Sequence, residues 1–299
     1  MLRKLLNAIA VLALSAQIAA ADVELSGFID MSFLSNDGDK TLSLDQLEVD
    51  FSSDLGEGIS VRADMNALSE NVALEQAYIA YETGSGVDLT LGKFLSCTGF
   101  EAAEPTGMYQ YSYSATLVYG GYQHGISASY GKEKFALYGA LVSSVWDGNE
   151  KELDDDFGLE AQLTLTPAAG VTAKAALAME DEQRLINVWA LYEKGPLSLA
   201  AEVNVLSDWT KDDAKYDSGL GYLEMANYAL NDKIAITARY SAIALTPPGD
   251  GKDKETNEIT LAPSYALSDN WALVAEVKML TEGEADAVPI IGLESLLTF

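Results

Sequence analysis

The sequence contains few residues whose types and spacing could support covalent catalysis. His124 is the single histidine, and the hydroxyl groups close to it along the chain belong to Ser127 and Ser129. On a β-strand, residues separated by an odd number of positions point to opposite faces, so His124 could not contact either serine within its own strand. The sequence also has no G-x-S-x-G or H-E-x-x-H motif. We therefore predict that the protein is not an enzyme.

Metal and redox chemistry are also weakly supported. The run at 154–156 is Asp-Asp-Asp and could collect Ca²⁺ or Mg²⁺ loosely, but the ordered ligand spacing of a calcium loop is missing. We expect this run to be a solvated acidic loop, and we predict neither a metal site nor a cofactor. Cys97 is the single cysteine, which excludes an internal disulfide framework.

The charges that could act on solutes lie in the middle of strand-like stretches, on the polar face of an apolar/polar alternation. If the strands close into a water-filled barrel, these charges stay hydrated and bias which ions pass, whereas a basic side chain facing lipid would cost about 2–4 kcal/mol at the midplane. Salt-bridge ladders on the inner wall are the alternative role. The predicted pore-lining residues are Glu48, Asp50, Arg62, Asp64, Glu160, Lys174, Glu202, Arg239, Glu258, Glu276, Lys278 and Glu294.

One link between strands, at about 95–123, is unusually long and rich in tyrosine. A loop with so many rings is not expected to lie bare in water, so we predict that it folds into the barrel and narrows the channel. Its carboxylates would favour cations, and its rings could stack on sugar faces. The alternative is an outside loop packed on its neighbours. The predicted constriction residues are Glu101, Glu104, Tyr109, Tyr111 and Tyr113.

The elements that position these residues are predicted to be sixteen β-strands. Stretches with period-two alternation are separated by turn-like clusters, and an even number of strands suits a closed bacterial barrel. The facing of 73–82, 185–192 and 219–229 cannot be assigned because their alternation is mixed. The predicted strands are 23–33, 42–52, 59–67, 73–82, 87–94, 124–130, 135–145, 157–165, 171–179, 185–192, 197–206, 219–229, 234–243, 258–266, 271–280 and 288–299.

The links between these strands alternate in length. Tight turns follow the even strands, such as TGSG at 83–86 and LSDN at 267–270. Longer acidic links follow the odd strands, including 146–156, 207–218 and 245–257. Short periplasmic turns and longer outside loops are typical of a closed antiparallel transmembrane β-barrel.

The N-terminus predicts export. Arg3 and Lys4 precede an apolar run at 5–20, and small residues at 19–21 suit a cleavage site, so residues 1–21 are predicted to be a secretory signal peptide and 22–299 an outer-membrane barrel. The run is too short and too often interrupted for a spanning helix. Loss of Arg3 and Lys4 would lower the net charge from −28 to −30, which excludes nucleic acid as an expected partner.

Several segments resemble the OmpL-like β-barrel porin-2 family. They are strand and turn sequences without a catalytic signature, and the resemblance covers most of the mature chain. Cys97 and the region 105–123 depart from the family pattern. The segments are LEQAYIAYE (74–82), LTLGKF (89–94) followed by GFE (99–101), HGISASY (124–130), SSVWDGN (143–149), ANYALNDKIAITARY (226–240) and ITLAPSYALSDNWALVAE (259–276).

This resemblance implies an outer-membrane channel. We expect passive diffusion of small hydrophilic solutes or ions with a mild cation preference, because inward acids outnumber inward bases. The alternative is a structural or adhesive surface barrel with a blocked lumen and cation-binding acidic loops. Expected partners are membrane lipid, lipopolysaccharide, the solutes themselves and possible further copies of the chain. The natural solute and the oligomeric state stay open.

Overall fold

The strands close into one antiparallel barrel. The computed structural model describes residues 22–36, 38–68, 71–147, 157–211 and 214–299. The sheet runs from β1 through β2 to β16 in chain order, and β16 pairs with β1. The strands are β1 (Glu24–Asn36), β2 (Asp39–Gly56), β3 (Ile59–Leu68), β4 (Asn71–Glu82), β5 (Val87–Leu95), β6 (Tyr122–Lys132), β7 (Phe135–Val142), β8 (Gly158–Ala168), β9 (Val171–Glu180), β10 (Gln183–Lys194), β11 (Leu197–Lys211), β12 (Ala214–Ala229), β13 (Ile234–Thr246), β14 (Lys254–Ser268), β15 (Trp271–Glu282) and β16 (Val288–Thr298).

Helical structure is limited to one short turn in the described part of the chain, a 3₁₀ turn at Pro105–Gly107. None of the described helical residues forms a segment long and apolar enough to span a membrane. The predicted signal peptide at 1–21 and the acidic run at 154–156 lie outside the described residues.

The barrel closes where the last residue meets the first strand. The amide of Gly27 donates to the carbonyl of Phe299 at 3.1 Å, and the amide of Phe299 donates back to the carbonyl of Gly27 at 3.0 Å. From there the register continues with Phe28 opposite Thr298. A closed sheet leaves no edge strand with unpaired backbone groups, which is what a lipid environment requires.

The predicted sixteen antiparallel strands are confirmed, but several boundaries were wrong. The segment 207–218 was predicted to be a loop, yet β11 extends to Lys211 and β12 begins at Ala214. The strands were not recognised there because the segment is acidic and lacks apolar alternation. A strand that extends beyond the membrane has no lipid-facing apolar stripe. The opposite error occurred at 143–145, which the sequence placed in a strand although β7 ends at Val142.

The strands alternate between a buried inner face and an exposed outer face. On β10, Leu185, Asn187 and Trp189 are buried, whereas Ile186 and Val188 between them are exposed. The inner residues Leu223 and Met225 of β12 are apolar as well, because they pack beneath the long link between β5 and β6. An apolar inner face is the reason that the alternation of 185–192 and 219–229 was mixed in sequence.

Two β-bulges change the alternation near the start of the chain. The register between β1 and β2 shifts at Asp45, and the register between β3 and β4 shifts at Glu75. A bulge adds one residue to one strand, so the side chains beyond it swap faces. The bulge at Glu75 explains why the facing of 73–82 could not be assigned.

Gly92 on β5 provides the first testable prediction. Its φ is +140°, and a Cβ there would lie 2.2 Å from the carbonyl oxygen of Ala77. We expect Gly92→Ala to lower the free energy of unfolding by about 2 kcal/mol or more, because strain and backbone overlap act together. Urea unfolding of the barrel in detergent micelles measures the change.

Gly131→Ala is the matched control for this prediction. A Cβ at Gly131 would meet no atom nearer than the Cβ of Ala136, at 3.9 Å, so the same substitution should leave the unfolding midpoint nearly unchanged. Equal midpoints for the two variants would contradict the prediction.

Candidate functional site

The link between β5 and β6, residues 96–121, lies within the ring of strands; we call it the inner loop. Its residues hydrogen-bond to side chains on widely separated strands, for example Ser32 on β1, Asn187 on β10 and Glu276 on β15. A segment that reaches β1, β10 and β15 together must cross the interior of the barrel. The loop therefore meets the inward-facing side chains of the wall.

Wall carboxylates hold the backbone of the inner loop. The amide of Phe100 donates to Glu202 at 2.9 Å, and the amide of Ser112 donates to Glu276 at 3.0 Å. The amide of Cys97 donates to Glu160 at 3.3 Å. Irregular loop backbone has no sheet partner, so these carboxylates satisfy amides that would otherwise be unpaired away from bulk water.

Arg239 on β13 is the most heavily bonded group between the loop and the wall. Its Nη1 lies 2.5 Å from Oε1 of Glu101 and 2.5 Å from the carbonyl oxygen of Ser112, and its Nη2 donates to the carbonyl of Tyr113 at 3.0 Å. Nη2 also lies 3.6 Å from Oε2 of Glu258. The Arg239 side chain is fully buried. A guanidinium can make several directed bonds at once, which suits this role.

The remaining inward bases also lie against acids or rings. Arg62 contacts Asp64 at 2.7 Å and Asp50 at 3.7 Å. Lys278 lies 3.3 Å from Oε1 of Glu258. The ammonium of Lys174 lies 5.1 Å from the centre of the Trp189 ring. Each base is thus partly neutralised or shielded, and the acids set the sign of the field in the lumen.

The tyrosines of the inner loop make different hydrogen bonds. The hydroxyl of Tyr111 donates to Ser32 at 2.9 Å, whereas that of Tyr113 donates to the loop's own Ala103 carbonyl at 2.6 Å. Tyr109 contributes its carbonyl, which accepts a bond from Thr237 at 2.8 Å. Tyr119, which the sequence did not single out as a site residue, donates to Glu202.

Glu104 lies beside two acids of the wall. Carboxylate oxygens of Glu48, Asp64 and Glu104 are all within 4.8 Å of one another. Burial raises the pKa of the Glu104 carboxyl above its usual range, and the negative charge of Asp50 adds to the effect. Unlike Glu101, Glu104 has no ion pair within the described residues.

Inward acids on the first four strands were missed in the sequence. Glu75 accepts a bond from Asn66 at 2.7 Å, and Asp45 accepts one from Tyr111 at 3.3 Å. Both lie at the β-bulges, where alternation fails as a guide. Asp30 is buried beside the predicted residue Glu294, and it shares the parity of Ser32, so this acid could have been found.

A cavity of about 670 Å³ remains between the inner loop and the wall of β7 to β10. Tyr138, Gln162, Lys174 and Trp189 line its wall side, and Phe100 of the loop packs edge-on against Trp189 with ring centres 5.6 Å apart. This volume is in the range of small-molecule sites. The cavity is therefore large enough for a small molecule.

Comparison with known protein families decides the identity of the fold. The family model described as Putative beta-barrel porin-2, OmpL-like, matches residues 23–289. The chain belongs to this porin family. Among curated protein sequences, none matches it.

Solved outer-membrane proteins have the same fold as this porin. OmpT of Vibrio cholerae superposes with a TM-score of 0.75 at 11% identity, covering 94% of this chain and 98% of that one. The channel DcaP of Acinetobacter baumannii gives 0.70 at 14% identity over 94% and 98% of the two chains. The anion-selective porin of Comamonas acidovorans gives 0.67 at 13% identity over 93% and 100%. At such low identity the likeness establishes the fold alone.

Family and fold together make this protein an outer-membrane β-barrel of the porin class. Membership of a porin family also suggests a channel without enzymatic activity. The predicted pore-lining and constriction roles of individual residues stay predictions at this point.

Proposed function

We propose that the protein is a porin through which small hydrophilic solutes diffuse passively, with a mild preference for cations. The inner loop forms the constriction, and the carboxylates of Glu101 and Glu104 lie on it. Transport needs no energy source or cofactor in this mechanism. A barrel of sixteen strands is wide enough to enclose water, unlike an eight-stranded one.

The observation that carries the proposal is the surplus of acids where the inner loop meets the wall. Each of the two inward arginines pairs with two carboxylates, Arg62 with Asp50 and Asp64, and Arg239 with Glu101 and Glu258. Carboxylates such as Glu48, Glu75, Asp30 and Glu294 have no basic partner among the described residues. A lumen with this surplus attracts cations and repels anions.

A blocked barrel is the second candidate, and apolar packing inside the barrel favours it. Val118 of the inner loop packs with Val142, Leu206 and Ile243 of the wall in one buried cluster. Such a cluster closes the part of the lumen that it occupies. A surface barrel with a structural or adhesive role would need the rest of the lumen to be closed as well.

Conductance in planar lipid bilayers separates the two functions. We expect discrete steps, and in a KCl gradient a reversal potential whose sign gives a severalfold preference for K⁺ over Cl⁻. Silent membranes with folded, inserted protein would favour the blocked barrel. A reversal potential of the opposite sign would contradict the cation preference and leave the porin function intact.

Export by cleavage after residue 21 is part of the proposal, as is contact of the outer face with lipid and lipopolysaccharide. Apolar residues such as Ile79, Leu91 and Ile259 are exposed on that face, which supports a lipid environment. Assembly into homo-oligomers is also proposed, since OmpT of Vibrio cholerae has been solved in a trimer form.

A further inference from the structure

An acidic cluster lies where the inner loop approaches β2 and β3. Glu48 comes from β2, Asp64 from β3 and Glu104 from the loop, and one carboxylate oxygen of each lies within 4.8 Å of the others. Two oxygens bound to one Ca²⁺ at about 2.3–2.6 Å can be at most about 5 Å apart. The three oxygens are therefore close enough to share one ion.

Glu48 provides a second, independent observation. The residue is 0% exposed, and its Oε1 has no hydrogen-bond partner among the described residues, while Oε2 accepts a bond from Gln46 at 2.6 Å. A buried carboxylate oxygen without a partner costs free energy that the surrounding contacts must offset. A bound cation would satisfy this oxygen.

Further acidic side chains lie around the cluster, and they outnumber the basic ones. Oδ1 of Asp50 and Oε2 of Glu75 are also buried without a hydrogen-bond partner in the described part of the chain. Arg62 is the base that contacts the group, and its bonds go to Asp64 and Asp50 rather than to Glu48 or Glu104. Glu48 and Glu104 therefore have no basic side chain as a partner among the described residues.

We propose that Glu48, Asp64 and Glu104 bind one Ca²⁺ ion, which fastens the inner loop to the wall at β2 and β3. Ca²⁺ suits the cluster because it accepts several carboxylates in irregular geometry, and water in the lumen can supply the remaining ligands. Mg²⁺ demands a near-ideal octahedron and gives up its water reluctantly, so it binds more weakly here. The site does not depend on conduction, so it goes beyond the proposed function.

Calorimetric titration with CaCl₂ tests the site. The mature barrel is stripped of metal and kept in detergent micelles, with about 0.15 M salt to screen the charge of the acidic surface. We expect one saturable Ca²⁺ per chain, with affinity lowered about tenfold or more in Glu48→Gln and in Glu104→Gln. Glu180→Gln is the control, since this buried carboxylate is held by Ser144 and Val145 and is not in the cluster. Its Ca²⁺ affinity should equal that of the wild type.

Thermal unfolding gives a readout that a purely structural Glu48 would not produce. In the presence of a chelator, Glu48→Gln relieves repulsion between carboxylates, so its unfolding temperature should be higher than that of the wild type. In excess Ca²⁺ the bound ion stabilises the wild type, so the wild type should then have the higher unfolding temperature. Ca²⁺ binding with equal affinity in wild type and both cluster variants would overturn the site. So would a wild-type barrel that binds no Ca²⁺ at all, in which case the carboxylates share protons instead.

Discussion

Replacing Arg239 with methionine is expected to weaken the attachment of the inner loop by about 3–5 kcal/mol. The side chain of Arg239 is fully buried, and its removal leaves Glu101 and Glu258 as buried charges without their closest cation. The carbonyl groups of Ser112 and Tyr113 lose their donors as well. Because the bonds join loop to wall, we expect the loss to appear first as release of the loop while the sheet stays closed.

Limited proteolysis of the folded barrel measures this release. The inner loop contains Phe100, Tyr109 and Tyr111, which are cleavage sites for chymotrypsin once the loop opens. A change of 3–5 kcal/mol corresponds to an increase in cleavage rate of more than about a hundredfold, if opening is fast compared with cutting. Lys252→Met is the control, because its ion pair with Glu284 is almost fully exposed and should not affect cleavage.

A double variant distinguishes the ion pair from simple loss of volume. Glu101→Gln in the Arg239→Met background removes the charge that the first substitution leaves unpaired, so cleavage should slow again by a clear fraction of the original increase. If the double variant opens as much as the sum of the two single variants, the pair has no coupling and Arg239 acts only by packing.

Much of the fold could be predicted because alternation and link length are local properties of the chain. The faces of β15 were correct from sequence, with Trp271 and Val277 exposed and Glu276 buried. Closure onto β1 was expected from an even number of strands. The end of β11 and the start of β12 were missed because this segment is acidic. A strand that extends beyond lipid into water can carry acidic residues such as Asp208 and Asp217.

The site was harder to predict because it depends on the inner loop. Wall residues such as Glu202 could be assigned to the inner face by parity, but their partners on the loop lie about a hundred residues away and no sequence spacing relates them. Apolar inner residues such as Trp189 and Leu223 broke the polar pattern for the same reason, since they face the loop instead of water. Asp45 and Glu75 were not predicted because they lie at β-bulges, which have no reliable sequence signal in these strands.

Deleting residues 101–115 from the inner loop is expected to increase single-channel conductance about twofold or more. The segment contains Glu101, Glu104 and the rings of Tyr109, Tyr111 and Tyr113, so its removal widens the aqueous path. Folding should survive because the sheet is held by strand pairing around a complete ring. Migration of the unheated protein on a detergent gel checks that the barrel is folded, and a deletion of 248–252, between β13 and β14, is the matched control with unchanged conductance expected.

Selectivity after the same deletion decides whether the loop's charges matter in addition to its bulk. Loss of Glu101 removes the closest counter-charge of Arg239, which stays on the wall with Glu258 at 3.6 Å. The lumen thus loses acids and gains a freer base, so the preference for K⁺ over Cl⁻ should fall but not reverse, since Glu202, Glu276 and Glu294 remain. A wider pore with undiminished selectivity would assign the cation preference to the wall alone, and an unchanged single-channel conductance would mean that the loop is not the constriction.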